Sequence, residues 1–107
     1  MDKPVNASVG EHPARIPAGA VTLHGDFTRP DDCRGIVLFA HGSGSSRQSP
    51  RNRYVASVLR EAGLATLLMD LLTVDEEAVD ARTGHLRFDI ALLAERLVAA
   101  TDWLASE

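Results

Sequence analysis

With one cysteine in 107 residues, Cys33, the chain can form no internal disulfide. The thiol sits in the polar segment Arg29 to Arg34, with no second thiol or nearby histidine to share a metal ion, so no metal site is expected. Such sparse cysteine usage fits a reducing cytoplasm, the expected location. Positive charge is also short: 11 basic residues face 15 acidic ones, a net charge of -4. That balance excludes a duplex-binding protein, whose nonspecific affinity comes from neutralising phosphates. Long apolar runs are missing as well. None approaches the roughly 18 residues of a membrane span, and Met1-Asp2-Lys3-Pro4 lacks the charged-then-apolar pattern of a signal peptide. Neither nucleic acid nor a membrane is an expected partner. Internal repeats and low-complexity segments are absent too.

What the chain does have is 45% hydrophobic residues, enough for one domain burying about two-thirds of its unfolded surface. Its most informative stretch is Gly35 to Arg47. Ile36, Val37, Leu38, Phe39 and Ala40 are apolar without alternation, the pattern of a central parallel strand covered on both faces. His41-Gly42-Ser43-Gly44-Ser45-Ser46 then places two glycines and three serines where an open α/β sheet presents its binding crevice. Glycine lets a bound oxygen approach the main chain and lets successive N–H groups turn inward.

Taken in order, residues 1–13 lack periodicity and read as a flexible arm, leaving 14–107 as the domain. Arg15-Ile16 and Val21 to Phe27 flank Pro17-Ala18-Gly19-Ala20, which predicts a hairpin with a glycine turn. Ser49 as N-cap and Pro50 at the first helical position start a helix. Its predicted apolar stripe is Val55, Val58, Leu59 and Ala62, and Gly63 is its stop. Ala65 to Met69 is a second apolar strand ending at Asp70, so Ile36 to Met69 forms one βαβ unit. Leu71 to Gly84, with Asp75, Glu76, Glu77 and Asp80, reads as an exposed acidic connection. Leu86, Ile90, Leu93, Leu97, Ala100 and Leu104 step by three or four, predicting one long amphipathic helix from Leu86 to Ala105.

The apolar strand, the His41-Gly42 turn, the Ser49-Pro50 helix start and the strand ending in Asp70 together resemble the α/β-hydrolase fold. Within it they resemble the dienelactone-hydrolase-like branch. The resemblance implies an α/β fold holding the amino-terminal part of the hydrolase sheet, namely a hairpin, a βαβ unit and a long helix, with the sheet incomplete. It also implies hydrolysis of an ester, lactone or similar acyl bond in a small-molecule substrate, without a cofactor. No Gly-x-Ser-x-Gly nucleophile elbow occurs in the sequence, and the family's nucleophile, acid and histidine lie later in the chain. Residues 1–107 alone are therefore expected to be inactive.

On this reading Ser43 and Gly44 are the candidates for a backbone oxyanion hole, with His41 and Gly42 structural to it. The plainer alternative is a loop that only reverses the chain. Arg47, Arg51 and Arg53 bracket a helix start, where cations are mildly disfavoured. They could serve an anionic ligand, or they could be solvated with help from Asp or Glu elsewhere in the fold. A second function class is a nucleotide- or anion-binding module without catalysis. Gly42-Ser43-Gly44-Ser45-Ser46-Arg47 begins like a dinucleotide-binding turn, and Asp70 stands where a ribose-binding acid would. Arg47 at the third glycine position argues against it.

Overall fold

The computed structural model describes residues 10–41 and 47–106. β1 (Glu11–Ala18) and β2 (Val21–Thr28) form an antiparallel hairpin with Ala18 opposite Val21. Only Gly19 and Ala20 lie between them. Gly19 takes φ of +64° at the first turn position while Ala20 stays at negative φ, the pattern of a type II′ turn, which matches the strands' twist. β1 begins inside the expected arm: Glu11, His12 and Pro13 pair with Thr28, Phe27 and Asp26. The antiparallel partner, not local composition, recruits those three residues.

β3 (Ile36–His41) and β4 (Ala65–Asp70) run parallel, joined by α1 (Pro50–Glu61), which is the predicted βαβ unit. The four strands lie in the order β1-β2-β4-β3. β2 and β4 are therefore the interior strands of the described sheet, and residues 65–69 of β4 are all buried. Among the described residues β3 has a strand neighbour on one side only, and Ile36 is 44% exposed. The expectation of a central strand covered on both faces is not met by β3 among the described residues, because it stands at the edge of this sheet.

The main core lies on one face of the sheet. There Ala14, Ile16, Leu23, Phe27, Ala65, Leu67 and Met69 meet Ala100, Leu93 and Leu104 of α3 (Ile90–Ala105), and Phe27 packs edge-on to Trp103 with ring centroids 5.5 Å apart. Gly25 allows β2 to approach β4, since a Cβ there would stand 2.9 Å from the Leu68 carbonyl oxygen.

Two helical expectations are corrected. The acidic connection contains α2 (Val74–Thr83), started by a capping box in which Thr73 and Glu76 each accept from the other's backbone N–H. Gly84 ends it with φ of +67°. The long helix is interrupted: a 3₁₀ turn spans Leu86–Phe88, and Asp89 caps α3 by accepting from the Leu92 N–H at 3.1 Å. The aspartate carboxylate competes for backbone donors and restarts the helix there.

Candidate functional site

The parallel strands end side by side, with His41 of β3 in register with Asp70 of β4. His41 is buried, and both ring nitrogens have partners. Nδ1 lies 3.1 Å from the Met69 carbonyl, which can only accept, so Nδ1 carries the proton. Nε2 lies 2.9 Å from the Asn52 amide nitrogen and accepts from it, with the amide orientation assigned by this network. The ring thus ties β3 to β4 and to the first turn of α1, as a structural histidine would, and the Leu71 N–H donates to the His41 carbonyl at 2.9 Å.

Asp70 receives two donors from a single residue. The Arg47 backbone N–H reaches Oδ1 at 2.8 Å and its guanidinium reaches Oδ2 at 2.7 Å. Arg47 Nε also stands 3.3 Å from Asp26 Oδ2, close as charges but not aligned as a hydrogen bond. Arg53 extends the array, donating to Asp26 at 3.2 Å, to Glu11 at 2.7 Å and to the Arg47 carbonyl at 3.3 Å. Burial opposes the Arg53 charge, but Glu11 and Asp26 outweigh it and hold the guanidinium more firmly protonated. Three carboxylates and two guanidiniums therefore alternate from the start of β1 to the end of β4. These are the acidic neighbours that the solvation reading of Arg47 and Arg53 requires. Arg51 is exposed and has no ion-pair partner among the described residues.

Ser43, Gly44 and Gly42 lie outside the described residues. The chain on either side of residues 42–46 is nonetheless fixed to β4, by His41 on Met69 and by Arg47 on Asp70. With both oxygens of Asp70 holding Arg47, the ribose-binding role weighed for it is occupied by a protein partner. Among the described residues no group of three or more His, Cys, Asp or Glu side chains could hold a metal ion, and no helix is long and apolar enough to cross a membrane.

Sequence reasoning missed most of the polar face of α1. The residues turned toward the sheet are Asn52, Arg53, Ala56 and Arg60, not the predicted stripe, and Val55 and Val58 are 39% and 44% exposed. The contact face lies about 100° round the helix, one residue on. Its partners, His41, Asp26 and Thr66, are polar, so hydrophobic periodicity could not locate it. Arg96, buried on α3, was also missed. It forks onto both oxygens of Glu76, at 2.5 and 2.8 Å, and donates to the Leu71 carbonyl at 2.9 Å. The Arg96 hydrogen bonds lower the Glu76 carboxyl below its usual range, against the effect of burial.

No family model matches the chain. It is 50% identical over 107 residues to a protein named "Putative phosphoribosyl transferase" in two strains of Mycobacterium tuberculosis, CDC 1551 and H37Rv. All of this chain is covered, but it spans only 23% of the length of those relatives. Among solved structures, dienelactone hydrolase from Anabaena variabilis superposes with a TM-score of 0.85 at 64% identity, over 91% of this chain and 45% of that one. The segment therefore has the α/β-hydrolase-like fold of dienelactone hydrolase, with an open sheet, as the His41-Gly42 strand-and-turn pattern implied.

Proposed function

We propose that this segment supplies the oxyanion-hole loop of a dienelactone-hydrolase-like enzyme that cleaves an ester, lactone or similar acyl bond. Ser43 and Gly44 offer backbone N–H groups to the developing negative oxygen, and the nucleophile comes from chain outside these 107 residues. The observation that carries this reading is the 64% identity and TM-score of 0.85 to a dienelactone hydrolase across 91% of the segment. Anchoring of the chain on both sides of residues 42–46 supports it, since a preorganised donor must not move when charge develops. His41 braces the loop and takes no proton from substrate, because both ring nitrogens are already engaged.

The name of the mycobacterial relatives suggests a second activity. This chain spans 23% of their length, so we do not extend that named activity to it.

The test uses a chain that joins these residues to the nucleophile-bearing part that the proposal requires. Ser43→Pro removes a backbone donor, and loss of one such donor lowers kcat by about 10² to 10³, whereas Ser43→Ala keeps the N–H and near-normal turnover of a nitrophenyl ester. Circular dichroism and melting of both variants separate loss of the donor from loss of fold. Loss of activity in the alanine variant with the fold intact would overturn the assignment, as would absence of esterase activity in the unmodified protein.

A further inference from the structure

One face of α1 forms the wall of a cleft against β1 and β4. Pro50, Arg53, Tyr54, Ser57 and Arg60 recur at three- and four-residue intervals and, with Glu11 and Leu68, enclose about 340 Å³. Two guanidiniums share this cleft and only one lining residue, Glu11, is acidic. Arg53 is engaged by Glu11 and Asp26. Arg60 differs: its one hydrogen bond is to the neutral Thr66 hydroxyl at 3.2 Å, and it pairs with no carboxylate among the described residues. Burial weakens its hold on the proton, Glu11 partly restores it, and the nearby Arg53 charge weakens it again. A partly buried cation set beside a like charge, without a carboxylate of its own, is an arrangement that a bound anion stabilises.

We infer that this cleft is a binding site for a small oxyanion of the phosphate class, held by Arg60 and the outer edge of Arg53. The exposed Tyr54 phenol, 69% accessible, offers a third donor, and Ser57 donates its own proton to the Tyr54 carbonyl at 2.7 Å, leaving its oxygen outside the donor set. Arg60, Arg53 and Tyr54 line the same cleft, and a phosphate-class anion, with more oxygens than a carboxylate, can accept from more of these donors at once. The volume exceeds that of the anion alone, and the apolar Pro50 and Leu68 line the space an organic bearer would occupy. Glu11 competes for the same guanidiniums, so the site's affinity is set by a carboxylate that the ligand must displace in part.

Inorganic phosphate is titrated into the full-length chain while the arginine Nε–Hε resonances are followed by ¹⁵N NMR, with acetate as a parallel arm at matched ionic strength. Saturable shifts of Arg60 and Arg53 with phosphate are expected. Arg60→Gln weakens binding about tenfold or more, the loss of one charge-assisted pair. Glu11→Gln acts in the opposite direction and strengthens it severalfold, which no general loss of fold would do. Arg82→Gln, exposed on α2, leaves it unchanged. Phosphate shifts that do not saturate, unaltered affinity in Arg60→Gln, or weaker binding in Glu11→Gln would each overturn the inference. Acetate bound as tightly as phosphate would overturn the phosphate class.

Discussion

Arg47 and Asp70 make a double connection: one carboxylate accepts both the backbone N–H and the guanidinium of one arginine, at 2.8 and 2.7 Å. The side-chain bond fixes where Arg47 points, and the backbone bond fixes its main chain beside the end of β4. Because Asp70 ends β4 in register with His41, the entry and exit of residues 42–46 are set by adjacent positions of the same two strands.

Asp70→Asn therefore keeps the shape but loses the charge that orients Arg47. A hydrogen bond to a charged group contributes about 1.5–3 kcal/mol, so stability should fall by up to that amount. On the proposed function, the acyl-transfer rate of an active chain carrying these residues should fall in kcat more than in KM. Glu11→Gln, at the far end of the charge array, should leave kcat nearly unchanged. Steady-state kinetics and urea denaturation of both variants check this.

Glu76 gives the fold a pH dependence with a definite sign. Arg96 lowers its carboxyl in the folded state, so the unfolded chain binds the proton more readily. The stabilisation is complete above the ordinary carboxylate range and is lost as pH falls through the lowered folded value. Glu76→Gln should flatten the acid limb of a plot of Tm against pH. If the variant's Tm falls as steeply as the parent's below about pH 4.3, the ordinary glutamate value, the pair makes no such contribution.

Gly25→Ala should destabilise the domain by about 1–3 kcal/mol, the usual result of forcing an extra carbon into a packed position. Its Cβ would meet a backbone oxygen of β4 at 2.9 Å and cannot turn aside. Gly35→Ala, whose nearest neighbour is the Leu64 side chain at 3.5 Å, is the matched control and should stay near the parent in urea denaturation.

The 107-residue segment alone should self-associate through β3, whose outer edge has no partner in the described sheet. Ile36→Lys places a charge on that edge and should shift sedimentation toward monomer. A parent segment that remains monomeric at high concentration would refute this.

Local chemistry determined much of this protein. The hairpin around Gly19, the Ser49-Pro50 helix start and two apolar strands were all legible, because turn, cap and strand preferences act within a few residues. Thr73 and Glu76 spelled a capping box just as legibly, but the surrounding acidity masked it. Tertiary structure alone decided which strand became central, since burial of β4 depends on β2 pairing along its other edge. It also decided the facing of α1 and the partners of Arg47, Arg53 and Arg96. Charges of opposite sign attract from any sequence separation, and those pairs span 20 to 42 residues. A periodicity of apolar residues carries no record of such partners, so the polar half of the site became visible only once the chain was folded.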